Sequence, residues 1–166
     1  YICASPFPYD GIFRRAVLNF KFHNCGAYAE LLSHEMVRSI KDVYRDREFD
    51  LVTCVPMHKD TLRKRGYNQA ELLAKECARL LGIEYADLLA KTKKNKTQHS
   101  IKAAERAKNV IGVYSPIDKN LIKGKRILII DDIITTGSTL GECARILNKC
   151  KCGEICCCTL CTSLLI

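Results

Sequence analysis

Apolar residues recur along the chain at two spacings, and each spacing predicts one kind of element. A helical period is seen over residues 12–20, 31–43, 68–81 and 138–149. Short apolar runs predict strands over residues 50–55, 86–91, 110–114, 126–131 and 154–162. The run at residues 127–130 is wholly apolar, which is typical of a strand buried on both faces of a parallel sheet. Alternation of such strands with helices predicts an α/β fold with a largely parallel sheet.

Residues that start or stop elements set the predicted boundaries. Asn68 is a helix cap with Glu71 three positions on, and Gly82 ends the same helix. Pro56 ends the first long strand, and Gly153 separates the last helix from the last strand. In the helix of residues 31–43 we expect one side to be buried, formed by Leu31, Leu32, Met36, Val37, Ile40 and Val43.

Length and composition narrow the class of protein. A chain of 166 residues suits one domain, and 48% hydrophobic with 27% charged residues excludes disorder as the main state. The uncharged stretch at residues 155–166 is too short to cross a bilayer, so we expect no membrane span. The chain begins with Tyr1 and shows no export signal, so we expect a processed piece or a fragment that is not secreted.

The cysteines do not have the pattern of a disulfide scaffold. There are eleven, an odd number, and seven fall between Cys143 and Cys161, which favours a reducing compartment and a cytoplasmic location. Cys156, Cys157 and Cys158 lie in an apolar run, so we expect small core residues there. The spacing of residues 150–152 is not that of a usual zinc site.

The net charge of +9 is concentrated in two segments. Residues 59–65 hold four basic residues and one acidic residue, and residues 91–108 hold seven basic residues and one acidic residue. These two segments account for the whole net charge. Such concentration indicates a polyanionic partner, either the phosphates of a small molecule or nucleic acid.

The most informative string is residues 127–139, where a buried strand delivers Asp131 and Asp132 to its carboxyl end. Small hydroxyl residues and Gly137 then lead into a helix, whose free backbone N–H groups suit a phosphate monoester. Neighbouring carboxylates suit sugar hydroxyls or a hydrated Mg²⁺. The pattern therefore predicts a sugar-phosphate pocket. The alternative is an ordinary strand followed by a capping box of Thr139 and Glu142.

This string closely resembles the phosphoribosyl pyrophosphate (PRPP) motif of type I phosphoribosyltransferases. The resemblance implies that Asp131 and Asp132 engage the ribose 2′- and 3′-hydroxyls, with Mg²⁺ at the same carboxylates. It implies that the 5′-phosphate is held by Thr135, Thr136, Gly137, Ser138 and Thr139. Members of the hypoxanthine type carry an aspartate where Thr135 stands, so Thr135 weakens a hypoxanthine or guanine salvage function.

The basic segment at residues 56–69 follows the earlier strand, at the place where this family has its pyrophosphate loop. The resemblance assigns pyrophosphate binding to Pro56, Met57, His58 and Lys59. Arg63 and Arg65 add charge, since an arginine can bind two phosphate oxygens at once. We expect Asp131, Asp132, Arg63 and Arg65 to be the catalytic positions most sensitive to substitution. A solvated basic turn is the alternative.

The second basic segment, residues 91–108, has no apolar period and is predicted to be a loop. In type I enzymes a flexible loop closes over PRPP and excludes water from the reacting carbon. By that resemblance the loop residues are Lys93, Lys94, Thr97, Gln98 and Arg106. The alternative is a basic loop that only keeps the protein in solution.

These segments, in this order, resemble the ComF/GntX group of phosphoribosyltransferase-like proteins, which are linked to competence in some bacteria. The residues that carry the resemblance are 9–11 with 20–22, 63–69, Thr97 and Gln98 with Arg106 and Asn109, and 131–137. The group usually begins with a cysteine-rich zinc knuckle. Zinc is therefore expected only in a segment before Tyr1, of which Cys3 is a candidate remnant.

The resemblance covers nearly the whole chain and implies one domain with the type I fold. In that fold helices flank a largely parallel central sheet, with a small helical hood, here residues 1–45, and a core at residues 49–166. It implies an enzyme that transfers a phosphoribosyl group from PRPP to an unknown nitrogen acceptor and releases pyrophosphate. The alternative is a non-catalytic DNA-uptake protein that binds single-stranded DNA or a competence helicase. Type I relatives are often dimers, so a homodimer is also implied.

Overall fold

The computed structural model describes residues 2–22, 26–93 and 110–164. Its strands are β1 (Cys3–Ala4), β2 (Phe7–Pro8), β3 (Leu51–Cys54), β4 (Glu84–Tyr85), β5 (Leu89–Lys91), β6 (Tyr114–Pro116), β7 (Arg126–Ile134) and β8 (Glu154–Thr162). Its helices are α1 (Gly11–Phe22), α2 (Gly26–Val43), α3 (Lys59–Arg65), α4 (Gln69–Leu81), α5 (Lys119–Ile122) and α6 (Ser138–Lys149). From β3 onward the chain contains both helices and strands, as the apolar pattern predicts, although α3 and α4 are consecutive helices.

The central sheet has the strand order β1-β8-β7-β3-β4, and β2 also pairs with β8. Every pairing in this sheet is parallel. The two central strands are aligned so that Val52 lies beside Leu128 and Cys54 beside Ile130. The carboxyl ends of β3 and β7 are therefore neighbours. The predicted fold class, a largely parallel sheet flanked by helices, is confirmed.

Both faces of the sheet are buried, which explains the unbroken apolar run in β7. Leu128 and Ile130 belong to a core cluster that includes residues of α2 and α4. Ile127 and Ile129 belong to a second cluster, which includes residues of α6. All four side chains have no exposed surface. Because successive strand residues point to opposite faces, one apolar run supplies both clusters.

The predicted boundaries of α6 and β8 are confirmed, and so are the Asn68 and Gly82 caps of α4. The prediction for β7 was too short. It continues to Ile134 because β8 remains paired with it as far as Thr162. The strand predicted at residues 110–114 lies instead at Tyr114–Pro116 and pairs antiparallel with β5, outside the central sheet.

Three further differences concern the first half of the chain. α3 forms within the segment that the sequence assigned to a loop. Leu31 and Val43, placed on the buried side of α2, are 67% and 45% exposed, while Met36, Val37 and Ile40 are buried as predicted.

The strands β1 and β2 had no apolar pattern long enough to predict them. They are held against β8, and the Tyr44 hydroxyl lies 2.8 Å from the carbonyl oxygens of both Ile2 and Cys157, to either of which it can donate its one proton.

The three consecutive cysteines of β8 are core residues, as predicted, and Cys161 of the same strand is buried too. Cys156, Cys157, Cys158 and Cys161 are at most 2% exposed. The ten cysteines in the described part of the chain are present as thiols. Among the helices described here, none combines the length and the apolar character needed to cross a bilayer.

Candidate functional site

A cleft of about 250 Å³ opens where the carboxyl ends of β3 and β7 meet. Three parts of the chain line it: the segment from β3 to the start of α4, the β5–β6 pair, and the end of β7 with the start of α6. The lining residues are Val55, Pro56, Met57, His58, Thr61, Arg65, Asn68, Gln69, Ala70, Lys91, Tyr114, Asp131, Asp132 and Thr139. The cleft thus unites residues from both segments that the sequence analysis assigned to phosphate chemistry.

The two adjacent carboxylates lie on β7 itself, not in the loop that follows it. Asp131 and Asp132 are both half-buried and both line the cleft. The backbone N–H of Asp132 donates to Asp131 Oδ1 at 2.9 Å, which restricts the rotamer of the first carboxylate. The sheet therefore presents two oxygen-rich side chains on a rigid support, a suitable arrangement for ribose hydroxyls or a hydrated cation.

The segment after β3 is held in place by capping interactions at both ends of α3. His58 Nδ1 accepts from the backbone N–H of Asp60 at 3.2 Å, and Gly66 ends the helix in the left-handed conformation. Pro56, Met57 and His58 line the cleft. Lys59, by contrast, is exposed and lies outside the lining.

The two arginines of α3, on which catalysis was predicted to depend, differ in position. Arg65 lines the cleft, and its Nη1 donates to Gln69 Oε1 at 2.8 Å. Arg63 is exposed and is not part of the lining. Helical geometry explains the difference, since residues two positions apart in a helix point in different directions. Of these two arginines, only Arg65 is therefore placed to contact a ligand in the cleft.

The predicted 5′-phosphate loop divides between two cavities. Thr139 lines the main cleft, while Thr136, Gly137 and Ser138 line a neighbouring cavity of about 320 Å³. Thr135 is exposed and lines neither of them. Gly137 has φ +73°, so it supplies the left-handed turn into α6. The hydroxyls of Thr136 and Ser138 are 2.8 Å apart at the start of that helix, where its free N–H groups lie.

Lys91 and Tyr114 form a wall of the cleft that the sequence analysis did not identify. They are partners across the β5–β6 ladder, and Lys91 Nζ lies 5.5 Å from the centre of the Tyr114 ring. Burial lowers the pKa of Lys91 and raises the pKa of Tyr114. Tyr114 therefore stays protonated and able to donate a hydrogen bond.

The remaining loop residues are only partly described. Lys93 is exposed and lies outside the lining of the cleft. Lys94, Thr97, Gln98 and Arg106 fall outside the described residues, as does Asn109.

The cleft contains chemistry that fits Mg²⁺, in the form expected when the ion arrives with a phosphorylated ligand. Asp131 and Asp132 supply carboxylate oxygens. Over the described ranges, no three acidic, histidine or cysteine residues cluster closely enough to enclose a metal ion. Mg²⁺ commonly uses one or two carboxylates and takes its other ligands from water and substrate phosphates. The donor set therefore fits a substrate-bound Mg²⁺ and not a closed protein cage.

Comparison with known proteins agrees with the geometry. Residues 68–164 match the family described as "Phosphoribosyl transferase domain". Competence protein F of Haemophilus influenzae is 31% identical over 144 residues, which is 84% of this chain and 63% of that protein. Competence protein ComFC of Bacillus subtilis is 31% identical over 152 residues, covering 91% of this chain and 60% of that protein. The resemblance to the ComF group is confirmed.

Another relative is the DNA utilization protein YhgH of Escherichia coli, 30% identical over 101 residues, covering 60% of this chain and 44% of that protein. The chain thus spans less than two thirds of the length of these relatives. Among solved structures, glutamine PRPP amidotransferase from B. subtilis, complexed with ADP and GMP, is similar with a TM-score of 0.56. It is 18% identical, and the match covers 84% of this chain and 30% of that one. This likeness supports the fold.

Proposed function

Because the chain belongs to the phosphoribosyl transferase domain family, we propose that its cleft binds PRPP and transfers the phosphoribosyl group to a nitrogen acceptor. One observation carries this proposal: Asp131, Asp132, Arg65 and Thr139 line the same cleft, although they come from distant parts of the chain. Carboxylates for a ribose, a cation for a pyrophosphate and a hydroxyl at a helix start are what PRPP requires.

In this proposal each part of the cleft meets one part of PRPP. Asp131 and Asp132 hold the ribose hydroxyls, and the 5′-phosphate lies against Thr139 at the start of α6, beside the neighbouring cavity that residues 136–138 line. The pyrophosphate lies against residues 56–58, with Arg65 and Lys91 as cationic donors. Mg²⁺, when bound at Asp131 and Asp132, would neutralise part of the pyrophosphate charge.

The reaction exchanges one bond for another at the anomeric carbon. The attacking nitrogen supplies the electron pair of the new C–N bond, and the pair of the broken C–O bond leaves with pyrophosphate. The contribution of the chain is to orient the ribose and to stabilise charge on the leaving group. Arg65 and Lys91 are the cations of the cleft that suit this role, because both line it.

Calorimetric titration of PRPP, with and without Mg²⁺, tests the proposal directly. We expect micromolar binding that depends on Mg²⁺. The double variant Asp131→Asn with Asp132→Asn should weaken it by about tenfold or more, since charge-assisted hydrogen bonds contribute about 1.5–3 kcal/mol.

The matched control is Asp42→Asn with Asp46→Asn, which removes two carboxylates from exposed positions outside the cleft. We expect this control to bind PRPP like the unchanged protein. Equal affinity of the Asp131 and Asp132 double variant and the control would contradict the proposed site.

A second candidate function is the binding of single-stranded DNA or a helicase partner. The names of the relatives, competence protein F and DNA utilization protein, favour it, as does the basic sequence of residues 91–108. Phosphate contacts make such binding strongly dependent on salt. Neutralising Lys93, Lys94 and Lys96 should reduce both the affinity and its salt dependence. The matched control neutralises Lys119, Lys123 and Lys125, which are exposed and outside the basic segment.

A further inference from the structure

The turn between α3 and α4 brings an arginine and a glutamine together at the edge of the cleft. Arg65 is the last residue of α3, and Gln69 is the first residue of α4. The two residues are four positions apart but do not belong to one helix, because Gly66 ends α3 with φ +88°. The turn nevertheless places Arg65 Nη1 2.8 Å from Gln69 Oε1, and both side chains line the cleft.

This turn is fixed at several points. Asn68 caps α4 through its Oδ1, which accepts from the backbone N–H of Ala70 at 3.2 Å. Its Nδ2 donates to the carbonyl of Val55 at 3.1 Å, which ties the turn to the end of β3. The hydroxyl of Tyr67 donates to the backbone carbonyl of Phe20 in α1. The position of Arg65 is therefore determined by the turn and not by the side chain alone.

Gln69 holds Arg65 without neutralising it. The glutamine is only 1% exposed, so its carbonyl oxygen is a buried acceptor with a fixed position. Within residues 2–22, 26–93 and 110–164, Arg65 forms no ion pair with a carboxylate. A neutral acceptor orients the guanidinium and leaves its full charge available to a ligand, whereas a carboxylate at the same place would form a buried ion pair.

We propose that Gln69 is a positioning residue that aims Arg65 at the pyrophosphate group, so that this pair makes the cleft prefer PRPP to ribose 5-phosphate. The inference rests on the proposed function and adds the element of recognition that distinguishes the two ligands. A planar guanidinium in a fixed orientation binds two oxygens of a pyrophosphate at once. Ribose 5-phosphate carries only a hydroxyl in place of the pyrophosphate, so its affinity should not depend on the pair.

Titration of PRPP and of ribose 5-phosphate, both with Mg²⁺, into variants of Gln69 tests this inference. Gln69→Leu removes the acceptor at similar volume, and Gln69→Glu adds a charge that pairs with Arg65. We expect Gln69→Glu to weaken PRPP binding by about tenfold or more, and Gln69→Leu to weaken it less. Affinity for ribose 5-phosphate should be unchanged in Gln69→Leu, which also shows that the cleft is intact.

Two controls separate positioning from general effects. Asn120→Asp makes the same amide-to-carboxylate change at an exposed position of α5 and should leave both affinities unchanged. In an Arg65→Met background, Gln69→Leu should change PRPP binding less than it does in the unchanged protein, because the proposed positioning acts through the arginine. Such a double-mutant cycle measures the coupling between the two side chains.

The outcomes are distinct. If unchanged protein prefers PRPP and Gln69→Leu reduces that preference, the inference is supported. If Gln69→Leu weakens both ligands equally, or keeps the full preference for PRPP, the inference is wrong while the proposed function stands. If unchanged protein does not bind PRPP at all, the proposed function fails, and the inference fails with it.

Discussion

Replacing Asn68 should cost more stability than removing an ordinary helix cap, because its side chain serves two elements. Its Oδ1 caps α4 and its Nδ2 donates to the carbonyl of Val55 at the end of β3. The residue is 7% exposed, so water cannot easily replace either bond. Asn68→Ala removes both interactions, whereas Asn68→Asp keeps the acceptor and removes only the donor.

The two losses can be estimated separately. Loss of a helix N-cap lowers the free energy of unfolding by about 1 kcal/mol. A buried carbonyl left without its donor, here that of Val55, adds about 1–3 kcal/mol. Asn68→Ala should therefore destabilise the protein by about 2–4 kcal/mol. Asn68→Asp should fall between this variant and the unchanged protein.

Urea denaturation followed by circular dichroism measures these differences as shifts of the midpoint. The matched control is Asp118→Ala, because Asp118 caps α5 through the N–H of Asn120 at 2.8 Å but is exposed. We expect the control to lose about 1 kcal/mol or less. An Asn68→Ala loss no larger than that of the control, or an Asn68→Asp variant as stable as the unchanged protein, would refute the role of the Val55 bond.

Further predictions concern pH and two exposed glycines. Burial raises the pKa of Cys54, Cys77 and Cys157 to about 12 from 9.0. The folded protein then keeps thiol protons that the unfolded chain loses, so stability is full below pH 9 and falls as pH rises towards 12. Urea denaturation of reduced protein across that interval should show the fall, with a smaller slope in Cys157→Ala; a flat profile would contradict burial of these thiols. Gly153→Ala should destabilise by about 1–3 kcal/mol, since a Cβ there would lie 2.7 Å from the carbonyl oxygen of Gly124. Gly141→Ala, in open space on α6, should instead stabilise by about 0.4–1 kcal/mol, and equal effects of the two substitutions would contradict the close contact.

Helix bounds were predicted best from the sequence where a periodic apolar pattern ends at a residue with a clear conformational preference. α6 lies between Gly137 and the turn before Gly153, and α4 lies between Asn68 and Gly82. Prediction from the sequence failed for α3, which has no buried residue and therefore no apolar face that would show a helical period. It also failed for β1 and β2, because two-residue strands depend on pairing with β8 and not on their own composition.

The two carboxylates of the site could be predicted from the sequence. The choice of arginine and the β5–β6 residues of the cleft could not. Asp131 and Asp132 were identifiable because they follow a wholly apolar run. Sequence could not decide between Arg63 and Arg65, since that choice depends on the rotation of α3 relative to the sheet. Lys91 and Tyr114 meet only through the β5–β6 pairing of residues 23 positions apart, and such pairing leaves no local signal.

The parallel pairing of the two ends of the chain also determines the order in which the sheet can be completed. Cys3 lies beside Cys157 and Phe7 beside Cys161, so β1 and β2 are synthesised about 150 residues before the strand with which they pair. Contacts of such sequence separation slow folding, because a long loop must close before they form. On the ribosome, β1 and β2 must wait until β8 has emerged. Until then the edge of β7 that β8 will cover is unpaired, and an uncovered edge of apolar strand is a site for aggregation.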